Sequence, residues 1–312
     1  MLSQTQKKRA MSGNYMLGLT LDKSEASALS RLFSAAILRD FSKYGRSPLF
    51  ARLVNHTRLN VYVPPEATVG AALDQAFELL SESRFRSDYV YRSAITDNIL
   101  LRRGLNAATL LNEVRAGSCK ADVVVLNETS TAYEIKSERD SLVRLKNQLE
   151  NYRQVFAEVN VVVSESHLSE VLQIAAEDVG IITLSGQLRL QTIRLPQNCP
   201  ERINPTMILD ILRLDEATEI LSHLGQEVPN VPNTKIRSKL RQVFAKLEPA
   251  TVHNEMVKTL KNSRSQVSLA SFVSSIPVSV RAALLAANPT PKHRTRIKTA
   301  VDTPLIKALS WM

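Results

Sequence analysis

Aromatic residues account for only 5% of this 312-residue sequence. That scarcity argues against a protein that holds single-stranded nucleic acid by stacking bases on a row of rings. Cysteine is scarcer still. Cys119 and Cys199 are the two present, and they form neither a CxxC pair nor a zinc-ligand spacing. Reduced thiols and a cytoplasmic location are therefore expected. Lys7, Lys8 and Arg9 open the chain with no apolar segment behind them. No apolar stretch reaches the roughly 18–20 residues needed to cross a bilayer, so a soluble protein without a membrane partner is expected. Catalytic signatures are missing as well: there is no GxxxxGK[ST], no GxSxG and no HExxH. His56, His167, His223, His253 and His293 are too scattered to read as a ligand set. Cys119, although three residues from Asp122, reads as a small apolar residue rather than a nucleophile.

What is present suits an ordinary globular protein, with 44% hydrophobic and 22% charged residues. The length favours two domains, since single cores rarely grow past about 250–300 residues. The net charge is +10, and its distribution is uneven. From Val231 to Met312 there are 14 Lys and Arg against 3 Asp and Glu, whereas the rest of the chain has 26 against 27. A basic C-terminal quarter favours a polyanionic partner, most simply DNA or RNA; the bland reading is a solubilising tail. The run Lys292-His-Arg294-Thr-Arg296-Ile-Lys298 is compact enough to grip phosphates, and equally fits a disordered arm.

Hydrophobic periodicity divides the chain into three. Residues 1–84 form an N-terminal helical extension, loosely ordered over 1–20. A helix is expected from about Ser24 to Tyr44, capped by Asp22 and stopped by Gly45, with Leu29, Leu32, Phe33, Ile37 and Phe41 on one face. A short strand over Leu59–Val63 and a helix over Thr68–Leu80 follow. Residues 85–200 form a mixed α/β core. It has a helix over Tyr89–Leu101, three strands at Leu111–Arg115, Ala121–Leu126 and Ala132–Ser137, and a helix over Ser141–Phe156 capped by Asp140. A strand at Val159–Val163, a helix over His167–Val179 and a strand at Ile181–Leu184 complete it. The fold class is thus α/β in the mixed α+β sense, a mixed central sheet flanked by helices. Residues 201–312 read as an all-helical basic region broken at prolines, with Gln226–Thr234 as the best linker candidate.

The segment that carries chemistry is Lys120-Ala-Asp122-Val-Val-Val-Leu followed by Ala132-Tyr-Glu134-Ile-Lys136-Ser. Side chains alternate across a strand, so Glu134 and Lys136 share one face. Charges beside such apolar strands are costly to bury alone. A divalent cation relieves that cost, because hard oxygen ligands from Asp122 and Glu134 can converge on it. Mg²⁺ or Mn²⁺ held there could polarise a phosphate and activate a water. Lys136 would then orient that water or stabilise charge on the phosphoryl oxygens. Gln148 and Tyr152, four apart, lie on one side of the next helix and could face this site; otherwise they pack within the core. Arg144, Lys146 and Arg153 make that helix positive, as suits a phosphate backbone.

At these residues the chain resembles the PD-(D/E)XK nuclease superfamily, in particular the QxxxY-containing, RecB-like branch. Asp122 matches the lone acid, Glu134-Ile-Lys136 the (D/E)XK element and Gln148 to Tyr152 the QxxxY element. The stretch from Ser87-Asp-Tyr-Val-Tyr-Arg through Gln-Leu-Glu-Asn-Tyr also resembles a poorly characterised bacterial family with this core. The resemblance implies a restriction-endonuclease-like core and Asp122, Glu134, Lys136, Gln148 and Tyr152 as catalytic residues. It departs from the pattern in having Ala121 before the acid. An auxiliary acid is also implied, with Glu113 or Asp88 preferred over Asp97, so that Asp122, Glu134 and Glu113 form the expected metal set. Arg144, Lys146, Lys292, Arg294, Arg296 and Lys298 are the expected nucleic-acid contacts.

Three readings follow. The first is a cytoplasmic Mg²⁺-dependent nuclease acting on DNA, with a role in mobile-element or phage-defence biology implied by the resemblance and a homo-oligomer possible. The second is an inactive module of the same fold that binds nucleic acid or a partner. The third is a hydrolase acting on another phosphodiester such as tRNA, against which the few aromatics argue weakly.

Overall fold

The computed structural model describes residues 21–64 and 66–311, so the reading of residues 1–20 lies outside the described residues. In chain order the first helices are α1 (Lys23–Ser30), α2 (Ala35–Tyr44), α3 (Pro48–His56), α4 (Val69–Leu80) and α5 (Asp88–Ile95), which runs into a π-helical turn at Thr96–Leu101. Next come β1 (Thr109–Ala116), β2 (Cys119–Leu126), β3 (Ser130–Lys136), α6 (Leu145–Tyr152), β4 (Glu158–Val163), α7 (Leu168–Ile174), β5 (Gly180–Leu184) and β6 (Leu190–Arg194). The later elements are helices: α8 (Pro205–Ile211), α9 (Leu214–His223), α10 (Asn233–Phe244), α11 (Pro249–Ser263), α12 (Ala270–Ser274), α13 (Arg281–Ala287), α14 (Pro291–Asp302) and α15 (Leu305–Ala308).

These elements form two compact units. One comprises the described residues up to Phe85, Ile276–Ala283 and the stretch from Pro289 onward; the other comprises Arg86–Ser275 and Leu284–Asn288. The residues after 200 therefore do not make a region of their own. Gln226–Thr234 does not separate domains either. It joins α9 to α10 within the second unit, where Val228 and Val231 pack against the core.

In the first unit, Asp22 and Glu25 exchange backbone hydrogen bonds as a capping box for α1, at 2.7 and 3.1 Å. The expected single helix to Tyr44 is interrupted at Ser34, whose extended ψ of 152° starts α2 afresh. Gly45 ends α2 with φ 67°, a left-handed conformation that glycine adopts without a Cβ penalty. The expected strand at Leu59–Val63 is instead a 3₁₀ turn over Leu59–Val61. Arg58, at φ 51°, swings the chain so that Leu59 is buried and Val61 exposed. The Lys292–Lys298 run is helical within α14, with Ile297, Ala300 and Val301 buried. Trp311 closes the unit against Phe41 and Phe50, with ring centroids 6.0 Å from each.

The second unit is built on one six-stranded sheet in sequential order, β1 to β6. The pairs β1–β2, β2–β3 and β5–β6 are antiparallel, and β3–β4 and β4–β5 are parallel. This is the expected mixed α+β class, because the connections through α6 and α7 are the crossovers that parallel pairs require. β3 is buried along its whole length. Val124, Leu126, Ala132, Val159, Val161 and Val163 pack with Leu145, Leu149 and Tyr152 of α6 and with residues of α8 to α11 in one core cluster. β6 carries no apolar alternation and pairs only with β5, which is why its sequence gave no strand signal. Asp140 does not cap a helix beginning at Ser141. Its Oδ2 accepts from the Ser137 amide (2.7 Å) and hydroxyl (2.6 Å), and α6 begins only at Leu145.

Candidate functional site

The antiparallel register sets the site. Val123 pairs with Tyr133 and Val124 with Ala132, so the same register carried one step further puts Asp122 opposite Glu134 on a shared face. The β1–β2 register likewise puts Glu113 opposite Asp122, between the pairs Asn112–Val123 and Val114–Ala121. Three carboxylates thus occupy consecutive places across three strands.

Asp122 is half-buried, and its Oδ2 accepts from the Ile135 amide at 2.8 Å. Glu134 and Lys136 are only 2% and 5% exposed, so every polar atom they carry needs a partner within the protein. Lys136 Nζ donates to Glu134 Oε1 at 2.8 Å and to Gln148 Oε1 at 2.9 Å, and Gln148 Nε2 donates to Glu134 Oε1 at 2.5 Å. The Tyr152 hydroxyl lies 2.6 Å from Glu134 Oε2 and 2.5 Å from the Lys120 carbonyl. It has one proton and two acceptors, so it can satisfy only one of them at a time. The i, i+4 spacing on α6 is what brings Gln148 and Tyr152 to Glu134 together.

The electrostatics follow from this crowding. Burial first, and then the Glu134 charge, raise the Asp122 carboxyl to about 7, against the opposing pull of the Ile135 amide and of Arg92. Burial and the neighbouring Glu134 carboxylate also push the Tyr152 phenol upward, so it stays protonated and remains a donor. Tyr152→Phe removes that donor from a buried carboxylate. We expect a loss of about 1–3 kcal/mol, read as a lower urea midpoint with an unchanged slope.

The structure therefore gathers Asp122, Glu134, Lys136, Gln148 and Tyr152, but not every expected member. Glu113 has φ 53°, which turns it out of the strand. Its carboxylate is half exposed and pairs with Arg92 at 3.2 Å. Among the described residues no group of three or more His, Cys, Asp or Glu side chains is placed to hold a metal ion, so Asp122 and Glu134 stand as a pair. Asp88 Oδ1 lies instead 3.3 Å from the Ser137 hydroxyl, whose one proton it shares with the nearer Asp140, and burial and the Asp140 charge raise its carboxyl.

Arg144 and Lys146 are exposed beside the site, whereas Arg153 is taken up by Asp178 at 2.8 Å. Lys292, Arg294, Arg296 and Lys298 belong to the other unit. There Arg294 donates to the Pro289 carbonyl, Arg296 to that of Lys43, and Lys298 pairs with Asp302. Arg92 was not anticipated. It donates to Asn112 Oδ1 (3.4 Å) and Glu113 Oε1 (3.2 Å) and lowers the Asp122 carboxyl. Its placement depends on how α5 packs, for which the sequence carries no local signal. No helix among the described residues is long and apolar enough to cross a membrane.

Comparison with known proteins corrects the expected family. The family model for bacteriophage P4 protein cII matches residues 81–284. Protein cII of Enterobacteria phage P4 is 30% identical over 169 residues, which are 52% of this chain and 62% of the phage protein. The chain thus spans less than two thirds of the length of that curated relative. No solved structure matches. The residues that resembled the PD-(D/E)XK superfamily lie within the matched segment, so that assignment is overturned. With about two thirds of its length under a single family model, the chain belongs to the bacteriophage P4 protein cII family.

Proposed function

We propose that this chain hydrolyses phosphodiester bonds of nucleic acid, with DNA as the first substrate to test, at a metal-assisted site formed by Asp122, Glu134 and Lys136. The observation that carries this reading is the placement of two carboxylates at adjacent register positions on one sheet face, with an ammonium 2.8 Å from one of them. The pair suits a cation. Burial, and then the Glu134 charge, raise the Asp122 carboxyl, so its anion lacks a counter-charge that a cation could supply. Asp122 and Glu134 would hold Mg²⁺ or Mn²⁺, which supplies Lewis-acid polarisation of a phosphate oxygen and acidifies bound water.

The chain's own groups do the positioning. The Ile135 amide fixes Asp122, and Gln148 and Tyr152 fix Glu134. Lys136 Nζ lies 2.8 Å from Glu134 Oε1 and 2.9 Å from Gln148 Oε1, and its remaining proton would be the one offered to a phosphoryl oxygen. Half-buried Asp122 marks the side from which substrate would approach. A cytoplasmic setting goes with this reading.

A second reading has its own support. Glu134 and Lys136 are almost wholly buried and satisfied by each other and by α6, as in a structural network that binds nucleic acid without cutting it. Incubation of the purified chain with duplex, single-stranded and branched DNA and with RNA, with Mg²⁺ or Mn²⁺ and with EDTA, separates the two. Hydrolysis predicts cleavage that EDTA and Asp122→Asn both remove while binding persists. Parent and variant that bind alike and leave every substrate intact would establish the second reading.

A further inference from the structure

A cleft of about 530 Å³ lies along β1, the end strand of the sheet, and is lined by Asn112, Glu113 and Arg115 on that strand. Asp210 and Arg213 at the end of α8, and Arg264 after α11, contribute to its other walls. Asp122 and Glu134 do not line it, but Glu113, one of its walls, stands opposite Asp122 in the register and its charge acts on the Asp122 carboxyl. Its size is that of a small-ligand pocket, enough for a short stretch of a polyanion. None of its lining residues is aromatic, so base stacking is not what it offers.

Its charges are unequally engaged. Glu113 is paired with Arg92, Asp210 with Arg241, and Arg264 with Glu216. Arg115 and Arg213 also line the cleft; both are exposed, and neither has a carboxylate partner among the described residues. Once the internal pairs are set aside, the cleft presents two guanidinium groups without a carboxylate partner, Arg115 being held only to the Gly117 carbonyl, and no carboxylate without a cation.

We infer that this cleft is the track for a single nucleic-acid strand, with Arg115 and Arg213 as its phosphate contacts and its Glu113 wall on the side of Asp122. The inference rests on the hydrolytic reading for what happens at Asp122, but strand binding can be measured apart from it. Backbone contacts of this kind carry affinity without sequence preference and weaken as counterions compete.

The test is fluorescence anisotropy with a labelled oligodeoxynucleotide of about 20 nucleotides, longer than the usual site of one binding module. It is done in EDTA across a salt series, for the parent, Arg115→Glu, Arg213→Glu and the exposed control Lys239→Glu. Each cleft variant is expected to weaken binding at least about tenfold at low salt. Each should also flatten the slope of log affinity on log salt by roughly 0.7, one single-strand phosphate's worth. The control should match the parent. Cleft variants that bind like the parent, or a parent that does not bind, overturn the track.

Cleavage with Mg²⁺ is scored in the same preparations. Cleavage by the parent with unaltered binding by the variants overturns the track alone. Weakened variants beside a parent that never cuts support the track and overturn hydrolysis. Both substitutions are at exposed positions, and a melting curve for each shows whether lost binding reflects lost folding.

Discussion

Asp122→Asn is expected to stabilise the metal-free protein by about 1–3 kcal/mol at about pH 8 and to leave its stability unchanged below about pH 4. In the native state the Asp122 carboxyl keeps its proton up to about pH 7, because burial and then Glu134 disfavour the anion. In the unfolded chain it releases that proton near the ordinary value of about 3.9. Between these limits the native state binds more protons, so its stability falls as pH rises and stays low above pH 7. Asparagine keeps an acceptor for the Ile135 amide and carries no charge. If the proposed metal site is real, saturating Mg²⁺ should reverse the ranking, since an ion bound only by the native parent would add stability that the variant lacks. On the hydrolytic reading, the same substitution should slow cleavage by on the order of 10³-fold, as for the loss of a metal ligand worth several kcal/mol. Melting curves at several pH values, with and without Mg²⁺, check this. A variant no more stable than the parent at pH 8 would mean that neither burial nor Glu134 disfavours the Asp122 anion in the metal-free protein.

The second large effect lies away from the site, at Glu216. This residue is 1% exposed and receives Arg264 at 2.8 and 2.7 Å, the Ser263 hydroxyl at 2.8 Å and the Arg213 amide at 2.7 Å. Burial pushes its carboxyl upward, but the bonds from Arg264, Arg213 and Ser263 outweigh it and hold the group at about 2. A depressed native value contributes stability that is complete above the unfolded value of about 4.3 and is lost as pH falls toward 2. Arg264→Met strands a buried carboxylate and should cost about 3–5 kcal/mol near neutral pH. The double variant Glu216→Met, Arg264→Met should recover much of that loss, because no buried charge is left alone. Urea denaturation of the two variants and the parent decides it. Equal losses in the single and double variants would show that packing, rather than charge, sets the cost.

The juxtaposition of Asp122, Glu134, Lys136, Gln148 and Tyr152 was legible because it depends on two short periods. Alternation along β3 puts Glu134 and Lys136 on one face, and a four-residue step along α6 brings Gln148 and Tyr152 to the same carboxylate. Glu113 was misplaced because its positive φ breaks that alternation, and nothing in the side chain announces a left-handed conformation. Arg92 and the cleft depend on the packing of distant segments, which no local pattern encodes. Asp140 shows a different failure. An aspartate before a helix usually caps it, but here the nearer Ser137 takes its carboxylate first. β6 and the 3₁₀ turn at Leu59 were missed or misread because short segments with one buried residue carry little periodicity. The family itself was misread, since a motif of a few residues is shared more widely than the extended match over residues 81–284.

The discontinuity of the first unit has a consequence for how the chain folds as it is made. α1 to α4 are synthesised before the sheet, yet α14 and Trp311, which complete their packing, are synthesised only after it. Their apolar faces must wait through that interval, so the early helices are the part of a nascent chain most in need of a chaperone.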